Sequence, residues 1–329
     1  MNTRIRCGSG ARVVMGGLVA LMATPVVAQT QTAQGRATKS WSVPRTPDGQ
    51  PDLQGVWDFR TITPLERPDA LGGKQTLSDE EAAQAEAQAR ADTVDRAPRQ
   101  GDPGTYNQFW FDRGTTVVGD KRTSLIVDPP DGRVPALTPE GQKRKAFGGR
   151  RDLPAGPEDR NVAERCILGF NSGPPMEPRA YNNNVQIIQT PGYVVILNEM
   201  VHNARIVPTD KRAPGAIPQW NGQSRGRWEG DTLVVETAKF YGPTSFSERQ
   251  GSTSDLRLVE RFSRVEPDTL LYEFTVTDPK TWLKPWTVSI PMARSSEQIY
   301  EYACHEANYA MEAMLKGARL EEAGGAAKR

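Results

Sequence analysis

The sequence predicts a mainly β protein, in which an antiparallel up-and-down meander closes into a barrel with peripheral helices and a C-terminal helix. Short runs rich in β-branched and aromatic residues dominate the second half of the chain. Turn sequences such as Thr190-Pro191-Gly192 and Glu229-Gly230-Asp231 separate these runs. Strands do not alternate with helices as they do in parallel sheets. A β-sandwich is the alternative architecture.

Residues 1–28 have the pattern of a secretory signal peptide. Arg4, Arg6 and Arg12 precede an apolar run from Val13 to Ala23, and Val26-Val27-Ala28 supplies small residues for signal peptidase. The apolar run is too short to span a bilayer with these flanks, and Cys7 lies too early in the chain to carry a lipid anchor. We therefore expect an exported chain, periplasmic or extracellular, with no membrane insertion of its mature form.

The mature chain is expected to be nearly neutral. Removal of residues 1–28 takes away three basic residues and no acidic ones, which leaves 38 basic against 40 acidic residues. A chain with this balance attracts neither nucleic acid nor an anionic membrane surface. We expect a small-molecule ligand or substrate as the partner. The sequence leaves the oligomeric state open.

The first ordered strand is predicted to follow a polar arm. Residues 29–53 are polar, contain three prolines and show no periodicity, so we expect an extended arm there. Residues 54–329 are then expected to form a single β-rich domain, with a helical and loop insertion at about 77–165. Gly55-Val56-Trp57 opens the first strand. This Gly-x-Trp pattern resembles that of lipocalins, which implies a lipocalin-like barrel closed at one end by the indole; a buried structural tryptophan is the simpler interpretation.

Three helices are predicted. Ser78 to about Asp95 begins with a capping box, because Ser78 is followed three residues later by Glu81. A short basic helix begins at Thr138, with Pro139 at its first position. The last helix runs from Glu306 to about Lys316, and Gly317 is expected to end it.

The predicted strands share short length, alternating apolar residues and flanking turns. They are Arg122–Val127, Val185–Ile188, Tyr193–Leu197, Ala204–Val207, two strands within Arg227–Lys239, Leu256–Val265, Thr269–Thr277, Trp286–Ile290 and Ile299–Cys304. Short turns between successive strands favour neighbouring antiparallel pairs, and closure would remove the exposed edges of the meander.

Cys166 and Cys304 are the two cysteines that remain after export. An even pair in an oxidising compartment predicts a disulfide. Metal ligation or a free nucleophile is the less favoured interpretation.

His202 and His305 are the only histidines, so they are the first candidates for proton transfer near neutral pH. We predict a catalytic group of His202, Glu199 and Arg205 with His305 and Glu301. The last predicted strand would return beside the first ones, and the disulfide would hold it next to the meander. Each histidine could equally be a surface hydrogen-bonding group. A two-histidine metal site is a weaker alternative, and we predict no metal and no cofactor.

A second set of polar and aromatic residues is predicted to bind substrate at the end of the barrel that carries the predicted catalytic group. Asn and Arg side chains beside aromatic rings suit a carboxylate or a hydroxylated ring. The predicted set is Tyr181, Asn183, Arg225, Arg227 and Trp228. Loop conformation is the alternative explanation for the asparagines.

Three segments together resemble a group of exported bacterial proteins: PRTPDGQPDLQGVW, GRWEGDTLVVET and YEYACHEANY. The resemblance covers most of the mature chain and implies export and a single domain, but no activity. The residues favour a cofactor-independent lyase, isomerase or hydrolase that acts on a small molecule, with aromatic compounds among the candidates, by His/Glu acid–base catalysis. The alternatives are a lipocalin-like binding protein without turnover and a structural envelope protein.

Overall fold

Ten antiparallel strands form one sheet in the computed structural model, which describes residues 41–95, 108–147, 154–241 and 253–326. The strands are β1 Gly55–Asp58, β2 Ile126–Asp128, β3 Asn184–Thr190, β4 Tyr193–Asn198, β5 Ala204–Pro208, β6 Gln223–Glu229, β7 Thr232–Ala238, β8 Arg257–Glu266, β9 Thr269–Thr277 and β10 Trp286–Ser295. The predicted mainly β class is therefore confirmed. The predicted signal peptide and residues 29–40 of the predicted arm lie outside the described residues.

Alternation of apolar and polar residues forms the strands and places the core on one face of the sheet. In β9, Leu270, Tyr272, Phe274 and Val276 are buried, while the residues between them are half-exposed. A residue period of two puts such side chains on one face of a strand. The large side chains on this face form the hydrophobic core, among them Trp57, Phe262 and Trp286.

The sheet is not closed into a barrel, so the predicted closure is not confirmed, and either the alternative β-sandwich or an open sheet fits. Hydrogen-bonded strands follow the order β5-β4-β3-β1-β10-β9-β8-β7-β6, with β2 also paired to β10. The two end strands, β5 and β6, lie close together. A Cβ atom placed on Gly226 of β6 would be 3.0 Å from Val207 Cγ1 of β5 and 3.1 Å from Thr209 Cγ2. A long connection, residues 209–222, joins β5 to β6, and Pro208 has no N–H to donate.

The position of β1 differs from a simple meander, because β1 lies between β3 and β10. Its Trp57 is fully buried, and Nε1 donates to the carbonyl oxygen of Leu53 at 2.9 Å. The guanidinium groups of Arg264 and Arg294 lie 5.8 and 5.1 Å from the centroid of its ring. These contacts agree with a buried structural tryptophan.

The segment Ile299–Cys304 is not a strand, contrary to the prediction. β10 is paired with β9 on one side and with β1 and β2 on the other. A further strand after β10 therefore finds no free edge beside it.

The helices are α1 Asp79–Asp92, α2 Pro139–Phe147 and α3 Ala310–Ala326. The first two begin where the sequence predicts. α3 begins four residues later than predicted and continues past Gly317, which lies inside it. Among the described residues, none of the helices is both long enough and apolar enough to cross a bilayer.

Removal of the α1 cap is expected to lower stability measurably. Ser78 Oγ accepts from Glu81 N at 3.2 Å, and Glu81 Oε2 accepts from Ser78 N at 2.8 Å. Ser78→Ala should reduce the free energy of unfolding by about 1 kcal/mol in urea. Ser296→Ala, at an exposed position, is the control. Equal losses of unfolding free energy in the two variants would contradict the role of the cap.

The same cap should weaken in acid. Hydrogen bonds from the Lys74 ammonium and the Ser78 amide lower the pKa of Glu81. The stabilisation is therefore complete above the ordinary carboxyl range and is lost as pH falls through the lowered value.

Candidate functional site

His202 lies in the turn between β4 and β5, in a strained backbone conformation. Met200–His202 forms a short 3-10 turn in which Val201 has φ 50° and His202 has φ 51°. Left-handed backbone angles are rare for residues other than glycine and are costly for β-branched ones. The His202 side chain is exposed. The turn thus presents an imidazole at the end of the sheet at an energetic cost.

Glu199 holds this turn against the start of β3. Its Oε2 accepts from Asn184 Nδ2 at 2.9 Å and from Asn184 N at 3.3 Å, and its own N–H donates to Asn184 O at 3.0 Å. Its carboxylate is not bonded to His202. Within the described part of the chain, neither imidazole forms a hydrogen bond or an ion pair with a carboxylate. Glu199 is therefore a positioning residue for the turn.

Arg205 points into the core and does not face the turn that carries His202. Its guanidinium forms two bonds with Glu260, Nη1 to Oε2 at 2.5 Å and Nη2 to Oε1 at 2.8 Å. Tyr272 Oη donates to the same Oε1 at 2.8 Å and accepts from Met176 N at 3.1 Å. The guanidinium is already neutralised by Glu260, so the predicted place of Arg205 in the catalytic group has no support in this geometry.

Burial and charge act together on this network. Burial by itself lowers the pKa of Arg205, but the carboxylate of Glu260 outweighs it, and the net direction is upward. Burial raises the pKa of the Tyr272 phenol well above its usual value, and the Glu260 charge raises it further. Tyr272 therefore remains protonated and able to donate to Glu260.

The predicted disulfide between Cys166 and Cys304 is confirmed. The two Cα atoms lie 5.6 Å apart. Asn308 Nδ2 donates to Glu164 O at 3.3 Å and so ties the same two segments together a second time. His305 and Glu301, on the segment that carries Cys304, are both exposed.

A chain of contacts joins the disulfide to the turn that carries His202. The guanidinium of Arg165 lies 5.8 Å from the ring centroid of Trp220. Trp220 contacts Tyr241 at 4.8 Å between centroids. Asn221, next to Trp220, donates from Nδ2 to Asn203 Oδ1 at 2.9 Å.

We call this end of the sheet the His202 rim, which consists of Arg165, Cys166, His202, Asn203, Trp220, Asn221, Tyr241, Cys304 and His305. These contacts place Cys166 and the turn that carries His202 at one end of the sheet, and the predicted proximity of His202 and His305 stays a prediction. Arg165, Trp220 and Tyr241 are not among the predicted site residues. Arg165 precedes Cys166, and Tyr241 follows the predicted strand segment that ends at Lys239, whereas Trp220 lies seven residues before the nearest predicted strand.

Backbone strain concentrates at the His202 rim and in the segments next to it. Six of the seven described non-glycine residues with positive φ lie there, namely Cys166, Asn182, Val201, His202, Lys239 and Ala307; Lys121 lies elsewhere. Such conformations persist only where the surroundings enforce them, and they are frequent at functional sites.

The predicted substrate-binding residues do not form one surface. Arg227 and Trp228 are neighbours in β6, so they point to opposite faces of the sheet. Arg227 is exposed and pairs with Glu229 and Glu236, whereas Trp228 packs against the core. Arg225, on the same face as Arg227, donates to the carbonyl oxygens of the 212–213 loop.

Asn183 and Tyr181 have structural contacts. Asn183 is fully buried; its Nδ2 donates to Asp112 O at 2.8 Å and to Arg179 O at 3.0 Å, and its Oδ1 accepts from Arg179 N and Asn171 Nδ2. These bonds satisfy the amide. The Tyr181 ring meets Phe170 edge to face at 5.2 Å.

In the part of the chain that the structure describes, no group of three or more His, Cys, Asp and Glu side chains could hold a metal ion. No protein-family model matches this chain, and no curated protein is significantly similar to it.

Proposed function

We propose that this protein is an exported enzyme that uses His202 for proton transfer on a small molecule bound at the His202 rim. The observation that carries the proposal is the exposed imidazole of His202, held in a left-handed backbone conformation at that rim. The Cys166–Cys304 disulfide supports export, because such bonds form in oxidising compartments.

The chemistry follows from the groups at the rim. An imidazole accepts and donates protons near neutral pH, and general acid–base assistance accelerates reactions by about 10²–10⁴. His305 is the second exposed imidazole and the candidate for the opposite proton transfer. A proton-shift isomerisation needs only such transfers. In a hydrolase step the base would take a proton from the attacking water, and in a lyase step from a carbon of the substrate, while the acid protonates the leaving group. Glu199 contributes through its bonds to Asn184, which fix the turn.

Binding without turnover at the same rim is the second candidate. It is favoured by the absence, among the described residues, of a carboxylate bonded to either imidazole. The aromatic pair Trp220 and Tyr241 could then stack on a ligand, with the guanidinium of Arg165 beside them.

His202→Gln is expected to lower turnover by about 10²–10⁴ while the fold survives. The mature protein would be screened with aryl esters, aryl lactones and enolisable aryl ketones, and the variant assayed on any substrate that is turned over. Lys211→Gln, an exposed change just beyond β5, is the matched control and should leave turnover unchanged. Circular dichroism and thermal unfolding would establish that both variants are folded.

His305→Gln tests the second imidazole in the same assay. If both histidine variants retain turnover within about twofold of the parent, the acid–base assignment is wrong. Binding of a screened compound that is lost in Trp220→Ala, with no conversion by the parent protein, would favour the second candidate.

A further inference from the structure

A groove of about 640 Å³ lies between the outer face of the sheet and the loop of residues 111–119. Small-molecule sites are usually about 300–1,000 Å³ in volume. Pro291 and Ala293 of β10 line it on the sheet side, and Phe111 and Arg113 line it on the loop side. None of its lining residues belongs to the His202 rim.

Hydrogen bonds fix the loop that forms this wall. Ile62 N donates to Thr116 O at 2.9 Å, and Val118 N donates to Thr63 Oγ1 at 3.0 Å. Gly114, with φ 79°, lies so close to the chain that a Cβ there would be 2.8 Å from Arg60 Cβ. The groove is therefore preformed, which reduces the entropy lost when a ligand binds.

One cluster of charges in the groove is already satisfied. Arg60 lies between Asp58 and Asp112, with Nε 2.7 Å from Asp58 Oδ2 and an ion pair to Asp112. Burial lowers the pKa of Arg60, but the hydrogen bonds and charges of the two aspartates outweigh it and raise the pKa above the ordinary value. These three groups are occupied with one another.

Two lining residues of opposite charge have no ion-pair partner among the residues that the structure describes. Arg113 lies with its guanidinium carbon 4.3 Å from the ring centroid of Phe111, and no described carboxylate is within 4.0 Å of it. Within the described chain, the carboxylate of Glu266 accepts a hydrogen bond from Thr269 Oγ1 at 3.4 Å and from no other donor. Phe111, Val265 and Pro291 supply apolar surface in the same groove.

We propose that this groove binds a zwitterionic ligand of the amino-acid or short-peptide class. Its carboxylate would pair with Arg113, its ammonium with Glu266, and its side chain would lie on the apolar surface. Charge-assisted bonds of this kind are stronger than neutral ones and fix orientation. The two unpaired groups have opposite signs, so a ligand with both charges complements them better than one with a single charge.

Isothermal titration of the mature protein with phenylalanine, Phe-Gly and Phe-Gly-Gly provides the test, because the three probes separate the two charges by increasing lengths. At least one probe is expected to bind. Its C-terminal amide and its N-acetyl form, which each lack one charge, should bind at least about tenfold more weakly.

The variants assign each charge to its residue. Arg113→Gln should remove the preference for the free carboxylate over the amide, and Glu266→Gln should remove the preference for the free ammonium over the acetylated form. Arg212→Gln is the matched control, because its guanidinium also lies over a ring, that of Tyr193 at 5.0 Å, outside the groove. Glu297→Gln is the control for the exposed acid, and both controls should leave both preferences intact.

Location is tested by Ala293→Phe, which fills the groove from its sheet side and should abolish binding, while His202→Gln should leave binding unchanged. The proposal is overturned if no probe binds at 10 mM, on the order of the weakest specific affinities. It is also overturned if binding persists with unchanged preferences in Arg113→Gln and Glu266→Gln.

Discussion

Glu260→Gln is expected to lower the free energy of unfolding by about 3–5 kcal/mol, because it leaves the buried guanidinium of Arg205 without a counter-charge. The Arg205 side chain is 6% exposed and that of Glu260 is 0% exposed. Water cannot replace the lost charge at this depth. The measurement is equilibrium unfolding in guanidinium chloride.

The position of the pair explains why its loss should affect the whole sheet. Arg205 is on β5, an end strand of the sheet, and Glu260 is on β8. In the described chain, β5 and β6 touch without a hydrogen-bonded ladder, so the guanidinium–carboxylate pair is a direct polar link from β5 to the opposite part of the sheet. Tyr272 and Met176 extend this link to β9 and to the loop before β3.

A surface ion pair is the control for this prediction. Arg261 Nη1 lies 2.9 Å from Glu229 Oε2, with the two side chains 41% and 40% exposed. Glu229→Gln should cost less than about 1 kcal/mol. The double variant Arg205→Met, Glu260→Leu should recover most of the loss, since apolar side chains often replace a buried pair without cost. A loss for Glu260→Gln no larger than that for Glu229→Gln would contradict the assigned role.

Local patterns predicted the strands, because alternation is a property of neighbouring residues. β9 was predicted with its observed limits, Thr269–Thr277, and the capping box of α1 was predicted from Ser78 and Glu81. The order of strands was not predictable in this way. β1 pairs with β3 and β10, which lie far from it in the sequence. These pairings leave no free sheet edge for Ile299–Cys304, and no local sequence pattern indicates them.

The site residues were predicted less well than the strands, because their contacts join residues that lie far apart in the sequence. Arg205 shares its face with Val207, and Glu260 shares its face with Leu258 and Phe262. Alternation therefore contains a signal for the burial of both charges, which the prediction did not use. Their pairing, across 55 residues of sequence, required the folded sheet. The prediction instead grouped Arg205 with His202 and Glu199, its neighbours in sequence.

Loss of the disulfide is the second large effect. The double variant Cys166→Ser, Cys304→Ser is expected to lose up to about 5 kcal/mol of the free energy of unfolding, because the bond closes a loop across a sequence separation of 138 residues. In the chain-entropy model, a closed loop of this length removes many conformations from the unfolded chain. Few of the other bonds along residues 296–309 could compensate, since most of these side chains are exposed.

Unfolding of the mature protein in guanidinium chloride, with and without reductant, measures this loss. Reductant should lower the midpoint of the parent protein and leave that of the double variant unchanged, which separates the disulfide from other effects of the reagent. Thiol titration of the unfolded, unreduced parent should find no free cysteine. Two free thiols, or equal midpoints for parent and variant without reductant, would contradict the prediction, because a tether across so long a loop cannot be lost without enlarging the unfolded ensemble.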